Sequence, residues 1–349
     1  MNNHELIDKL EKTHSLDETE YFQLLSNQLQ SVEVEYLRQR ARIVTDQYFG
    51  RNVRIRGLIE ITNVCRNDCY YCGLRHSNQS LKRYTLSKDQ ILDCCRYGYE
   101  IGFRTFVLQG GENPSLSVEK VEEIVKLIHC EFPDSAITLS LGEWSDEAFE
   151  KFKKAGATRY LLRQESITPD HYGKLHPDFM SLENRIRCLK TLKRLGYQTG
   201  TGIMVGSPFQ SVEDIVRDLI FMEKLQPEMI GIGPFLPHKD TPFGNYHPGK
   251  LEMTLKLISI LRLMFPHANI PATTALATLH PQGRILGLQA GANVVMPNLT
   301  IEDYRKRYSL YNNKAAFGVE SAEGLELLKQ ELGTADLYVT TEKGDFSNV

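Results

Sequence analysis

The chain has 349 residues, 41% of them hydrophobic and 24% charged, with a formal net charge of -3, which is the make-up of an ordinary globular protein. That balance offers no basic footprint for nucleic acid, and no apolar run reaches the ~18 residues a membrane span needs; the best stretch, 255–265, is broken by Arg262. A charged N-terminus without an apolar signal region and seven cysteines fit a reducing, cytoplasmic setting.

Residues 1–48 read as helical, with Leu6, Ile7 and Leu10, then Tyr36, Leu37 and Ile43 at helical intervals. They form an N-terminal helical cap. From 49 to 312 strand-like and helix-like segments alternate. The strands are 53–61, 104–109, 136–141, 159–163, 198–205, 229–233, 269–274 and 293–296. Helical patterns at 88–101, 118–131, 146–155, 182–195, 212–225 and 251–265 separate them. Gly102, Gly156, Gly196 and Gly291 stand near helix C-termini, where a left-handed residue is favoured. Eight such units over ~250 residues predict an α/β fold, a full (β/α)8 TIM-type barrel with an N-terminal helical extension. Residues 313–349 follow as a C-terminal helical segment and tail, the last dozen polar and frayed.

Strand parity adds a chemical expectation. On the first strand Val53, Ile55, Ile59 and Ile61 share one face, and Arg54, Arg56, Leu58 and Glu60 the other. On the third, Ile137, Leu139 and Leu141 oppose Thr138 and Ser140. The fourth sets Arg159, Leu161, Arg163 and Glu165 on one face. Burying such groups without partners is costly. Polar inner faces therefore imply a water- or ligand-filled cavity carrying cationic groups, in preference to a barrel plugged by ion pairs such as Arg159 with Glu60.

The most specific motif follows the first strand: Cys65, Cys69 and Cys72, spaced Cys-x3-Cys-x2-Cys with no fourth cysteine nearby. Structural zinc sites favour four ligands in Cys-x2-Cys pairs, and no partner pair is visible. Three thiolates on a four-iron cluster leave one iron open, and Tyr71 beside it suits a small chelating cofactor. In barrels of this kind the strand C-termini carry the working residues, which is where the triad begins. Cys94, Cys95, Cys130 and Cys188 fall within helical patterns and read as buried, inert thiols. His76, His171, His176 and His238 are isolated and suit loop or packing roles.

Later strands end in polar groups too. The second closes with Gly110-Gly111-Glu112, where paired glycines let the backbone approach a ligand and Glu112 faces an ammonium group. Ser140 and Glu165 end adjacent strands, placed to meet ribose hydroxyls or an ammonium. Arg185 can clamp a carboxylate with its planar fork or pair with Glu183 or Glu165. Glycines inside 200–206 weaken a strand unless another group comes close. Thr273, Thr274 and Tyr304 add hydroxyls near the mouth.

The triad resembles the signature of the radical S-adenosylmethionine (SAM) superfamily. The resemblance implies one 4Fe-4S cluster on Cys65, Cys69 and Cys72, with SAM chelating the open iron. One electron then splits the S–C5′ bond to give methionine and a 5′-deoxyadenosyl radical. It also implies that Tyr71 contacts adenine, that Gly110, Gly111 and Glu112 receive the SAM amino group, and that Ser140, Glu165 and Arg185 complete the cofactor site. Longer strings, at 61–65, 71–75, 81–84, 139–144, 159–165, 183–185, 271–275 and 292–298, resemble the HydE family of FeFe-hydrogenase maturases, relatives of methylornithine synthase and biotin synthase. That closer resemblance implies assembly of the di-iron subcluster of the hydrogenase. Its substrate is a small anionic iron complex with CO, cyanide and cysteine, held by Arg56, Thr138, Arg163, Thr273, Thr274 and Tyr304. Other maturases and an electron donor such as ferredoxin or flavodoxin are the implied partners. Some members carry an accessory cluster on C-terminal cysteines; no cysteine follows Cys188 here, so none is expected. A carbon-skeleton rearrangement of the methylornithine synthase kind is the competing chemistry. Sulfur insertion of the biotin synthase kind needs a second cluster inside the barrel, for which the four helical cysteines are badly placed. A cluster carrier would have no use for Tyr71 or a polar lumen.

Overall fold

Serine marks where five of the helices begin. Ser87, Ser117, Ser145, Ser181 and Ser211 are the N-caps of Lys88–Glu100, Val118–Glu131, Asp146–Ala155, Leu182–Arg194 and Val212–Leu225, each hydroxyl accepting from the backbone amide three residues on. A cap of this type contributes about 1 kcal/mol. At the other ends Gly102, Gly156, Gly196 and Gly291 have positive φ, as their positions require.

The computed structural model describes residues 1–26 and 29–346. Its strands are β1 (Asn52–Ile55), β2 (Gly57–Thr62), β3 (Thr105–Gly110), β4 (Ala136–Ser140), β5 (Ala157–Leu161), β6 (Gln198–Thr201), β7 (Met204–Val205), β8 (Met229–Ile230), β9 (Gly233–Pro234), β10 (Val294–Val295) and β11 (Tyr338–Thr340). The fold is α/β, built on a six-stranded sheet in the order β2-β3-β4-β5-β6-β8, parallel throughout. β10, β1 and β11 form a second sheet, and β7 pairs with β9. Single parallel bridges from Met229 to Asn269, Pro271 to Val294 and Leu58 to Asn298 continue the pairing beyond β8.

Several expected strands are shorter than the sequence pattern suggests. Residues 53–61 break at Arg56 into β1 and β2, 198–205 into β6 and β7, and 229–233 into β8 and β9. The second and third breaks face each other: a Cβ on Gly202 would stand 1.9 Å from the Gly231 carbonyl oxygen. The group that comes close to this glycine is thus a neighbouring backbone. Residues 269–274 supply only bridging positions before the helix Thr274–Leu279.

Parity holds. Ile59, Ile61, Leu108, Ile137, Leu139 and Tyr160 pack outward in the main core with Ile91, Val125, Ile128, Phe149, Phe152 and Leu189 from the helices. Cys94, Cys95 and Cys188 lie buried there, whereas Cys130 is exposed, contrary to the buried reading. The N-terminal helices Asn3–Thr13, Glu18–Ser26 and Ser31–Phe49 bury Leu6, Ile7, Leu10 and Leu37. His14 reaches the Leu263 carbonyl at 2.7 Å. Ile43 faces solvent, one helical step outside the buried stripe of Leu37, Ala41 and Val44.

The tail does not fray as its polarity suggests. β11 pairs with β1, and residues 343–346 cross beneath the sheet's N-terminal end. Arg159, fully buried, donates to the Lys343 carbonyl at 2.9 Å and to Asp345 at 2.7 Å. Gln198 donates to Asp345 at 3.0 Å and accepts from the Phe346 amide at 3.1 Å. Polar residues are needed here because a buried guanidinium must be matched. Residues 347–349 lie outside the described part.

Candidate active site

β2 delivers the chain to the loop that bears Cys65, Cys69 and Cys72. Polar groups within the protein hold this loop. Asp68 accepts from Arg75 at 2.8 and 2.6 Å and from the Ser77 amide and hydroxyl at 2.9 and 2.6 Å. Hydrogen bonding to Arg75 holds the Asp68 carboxyl well below the usual range. Arg83 donates to the carbonyls of Asn63, Leu74, Arg75 and Asn78 at 2.6–3.0 Å. Asn63 in turn donates to the carbonyls of Lys82 and Arg307. Burial raises the pKa of all three thiols, that of Cys72 to about 12, so as free thiols they carry their protons at neutral pH.

Next to the loop lies a cavity of about 370 Å³ that takes in Tyr71, Cys72, Gly110, Ser140, Glu165 and Arg185 at the strand C-termini. Below them, register sets Leu58, Val107 and Thr138 on one level and Glu60, Gln109 and Ser140 on the next. Arg56, Arg163, Thr273 and Thr274 also line the cavity. Of the predicted cofactor and substrate residues the structure therefore gathers all but Gly111, Glu112 and Tyr304 around one space.

Those three differ for physical reasons. Gly111 faces the cysteine loop: a Cβ would stand 2.4 Å from the Val64 carbonyl oxygen and 2.7 Å from the Cys65 Cβ. Glu112 sits at the rim, accepting from Arg66 at 2.9 Å and from the Glu143 amide at 3.2 Å. Burial raises its pKa, opposed by Arg185. Tyr304 does not belong to the cavity wall. Its hydroxyl accepts from Gln90 at 3.2 Å, and its ring packs on Tyr84. Four residues further on, Tyr308 lines the cavity, with Tyr311 and Lys314.

Arg185 pairs with neither Glu183 nor Glu165. It donates to Glu143 at 2.6 Å and to the Arg163 carbonyl at 2.8 Å, while Arg163 takes Glu165 at 2.9 Å. Burial alone would lower the pKa of Arg185; Glu143, Glu112 and the tyrosines around it hold it above the usual value. Glu143 was missed in the sequence although it stands in the 139–144 string. Also missed was Lys314, which pairs with the fully buried Glu60. Glu60 therefore pairs with Lys314 and Arg159 with Asp345, and the alternative Arg159–Glu60 plug does not form. His176 has a role beside the site: its Nε2 lies 3.3 Å from the Tyr71 hydroxyl, and its ring stacks on Tyr172 at 4.1 Å. Burial lowers its pKa to about 3, so the ring is neutral.

The cavity wall carries buried polar atoms with no hydrogen-bond partner: Arg56 Nη2, Glu60 Oε2, Thr138 Oγ1, Arg163 Nε, Asn269 Nδ2 and Thr273 Oγ1. Orphans of this kind are rare in native proteins and call for a ligand or water. The residues present thus fit a cluster with one open corner: three thiols on one braced loop, an aromatic residue between them, and an adjoining chamber of unmatched donors and acceptors.

Comparison with known proteins agrees. A family model described as the Radical SAM superfamily matches residues 59–222. The chain is 48% identical over 280 residues to the FeFe-hydrogenase maturase subunit HydE of Thermotoga maritima, covering 80% of each protein. It is 31% identical over 291 residues to the 3-methylornithine synthase of Methanosarcina barkeri, covering 82% of this chain and 81% of that one. The crystal structure of methylornithine synthase (PylB) superposes with a TM-score of 0.85 at 27% identity, covering 98% of both chains. No helix among the described residues is long and apolar enough to cross a membrane. A braced three-cysteine loop over a polar chamber, and near-half identity along four-fifths of the sequence, place this chain among the radical SAM enzymes, in the family of the maturase HydE.

Proposed function

We propose that this protein cleaves SAM reductively and acts in assembly of the di-iron subcluster of FeFe hydrogenase, taking a small anionic iron complex with CO, cyanide and cysteine into its chamber. The observation that carries the reading is the set of unmatched donors on Arg56, Thr138, Arg163, Asn269 and Thr273 facing one space beside Tyr71 and Cys72. Cationic forks and hydroxyls suit cyanide nitrogens and a carboxylate. The sheet bridges beyond β8 support a closed (β/α)8 barrel over 49–312, with 1–48 as a cap and the segment from 313 as its floor and side wall.

Cys65, Cys69 and Cys72 would hold a single 4Fe-4S cluster, and Tyr71, Gly110, Ser140, Glu165 and Arg185 the SAM, with Glu112 swinging from Arg66 to the amino group. When bound, these groups supply a 5′-deoxyadenosyl radical. The protein's own residues orient the partners and exclude water. Leu161, Met204, Met229, Ile230 and Val294 line the chamber between the polar groups, which keeps bystander solvent from a reactive intermediate. The electron would come from a ferredoxin or flavodoxin, and the complex from another maturase.

Anaerobically reconstituted, reduced protein should release 5′-deoxyadenosine from SAM, faster with the iron complex present, and should restore hydrogenase activation in extracts lacking this maturase. Replacing Cys69 by Ala should abolish cluster content and cleavage together. Cleavage stimulated by an amino acid that undergoes carbon-skeleton rearrangement, and not by the iron complex, would replace this reading with the rearrangement chemistry of methylornithine synthase. A Cys69→Ala protein that still cleaves SAM would overturn the ligand assignment.

A further inference from the structure

Behind the chamber wall, on the side away from the cavity, lies a polar cluster that the proposed chemistry does not use. Gln164, Thr201 and Asp218 are each fully buried. Gln164 is held at both ends: Thr201 Oγ1 donates to its Oε1 at 2.8 Å, and its Nε2 donates to Asp218 Oδ1 at 2.9 Å. Its backbone amide donates back to Thr201 Oγ1 at 3.2 Å. The same Asp218 Oδ1 accepts from the Ile167 amide at 2.9 Å. Residues 164 and 167 bracket Glu165, and both are fastened to one carboxyl on the helix Val212–Leu225.

Glu165 is itself strained. It is a non-glycine residue with φ of +62°, a region that side chains other than glycine enter at an energetic cost. Its amide donates to the Gly202 carbonyl at 3.1 Å, and its carboxylate takes Arg163 at 2.9 Å. The left-handed turn follows the end of β5 and accompanies the carboxylate's placement at the chamber wall. A core of Leu and Val would pack as well as this buried polar cluster and cost less, so the cluster needs a reason, and the strained residue it brackets is one.

We propose that Asp218 and Gln164 are positioning residues for the cofactor site, their hydrogen bonds to Thr201 and the Ile167 amide locking Glu165 in its left-handed conformation so that its carboxylate is pre-set for SAM. The inference rests on the reading of Glu165 as a SAM contact. Asp218 Oδ2 has no partner, and the acceptor role of Oδ1 can be filled equally by an amide oxygen. The device therefore needs an acceptor at this point and no negative charge. Burial, with Asp214 and Glu165 nearby, pushes the Asp218 carboxyl up to about 8, so it serves in its neutral form at neutral pH.

The test measures SAM dissociation constants on reconstituted, cluster-bearing protein, alongside 5′-deoxyadenosine formation at saturating SAM. Asp218→Leu should weaken SAM binding about tenfold or more, with the saturated rate and iron content within about twofold of the parent, because preorganisation is lost while the contacts survive. Asp218→Asn should bind SAM within about twofold of the parent. Should Asp218→Leu fail to hold its cluster, Gln164→Leu, which leaves the carboxyl on the Ile167 amide, is judged by the same criteria. Unchanged affinity in the leucine variant, or an asparagine variant as weak as the leucine one, overturns the proposal. Glu165→Ala separates the two layers: if it binds SAM normally, the cofactor assignment has failed, and if it binds poorly while the leucine variants bind well, only the positioning role has.

Discussion

Lys314 and Glu60 give the sharpest test of how the chamber is built. Glu60 is fully buried, and Lys314 reaches it from 254 residues away while also donating to the Tyr308 carbonyl at 3.2 Å. Replacing Lys314 by Met removes one partner and strands a carboxylate whose second oxygen already has none. Breaking a buried pair from one side costs about 3–5 kcal/mol. An unfolding entropy of about 2.1 cal/mol/K per residue, over 349 residues, is about 0.7 kcal/mol/K. The expected fall in Tm is therefore about 4–7 °C if the chain unfolds as one unit. Glu60→Gln alone should cost a similar amount, and the double variant Glu60→Gln/Lys314→Met much less than the sum, since neither charge is then left alone. Differential scanning calorimetry on all four proteins at low and high salt reads the coupling. Additive losses, with a coupling below about 0.5 kcal/mol, would refute the argument that this pair is desolvated and mutually dependent.

Three further outcomes are expected. Tyr304→Phe should leave SAM cleavage and substrate response unchanged and cost at most about 1 kcal/mol, for its bond to Gln90; Tyr308→Phe, at the chamber wall with Gln109 donating to its hydroxyl at 3.3 Å, should reduce the substrate-stimulated rate. Asp345→Ala removes the carboxylate partner of Arg159 but leaves the Lys343 carbonyl; as Asp345 is 44% exposed, the loss should fall near the low end of about 1–3 kcal/mol, measured by urea unfolding, with iron content unaffected. The third concerns pH. Burial raises the folded-state pKa of Asp218 to about 8, so folding favours its protonated form. The resulting stability is fully present below the unfolded value of about 4 and is lost as pH rises to about 8. Asp218→Asn has no such loss, and the Tm of the variant relative to the parent should climb between pH 5 and 8; a flat difference would show that this carboxyl is solvated.

What the sequence made legible is what repeats locally. Alternation along 53–61, 136–141 and 159–165 assigned Arg56, Thr138, Ser140 and Arg163 to the inner face because a strand's side chains alternate strictly, and the cysteine spacing singled out the loop of Cys65, Cys69 and Cys72. What stayed hidden depends on partners distant in sequence. Nothing near Lys314 announces that it meets Glu60, nor does anything in the polar tail show that Asp345 meets Arg159 across 186 positions. Tyr304 and Tyr308 both follow the last strand, and only the path of the segment decides that the hydroxyl of Tyr308, not that of Tyr304, belongs to the chamber. Glu143 was within a recognised string yet assigned no role, because its value lies in orienting Arg185.

The brace around the cysteines has a bearing on damage and repair. Asp68, Arg75, Arg83 and Asn63 fix the loop through hydrogen bonds within the protein, so its shape need not be imposed by a metal alone. On the proposed ligand assignment the ordering cost would be met during folding, and metal loading would be a local event. Stripping the iron with oxygen or a chelator should leave an intact, refillable holder, and the demetallated protein should keep the shape needed to accept a fresh cluster.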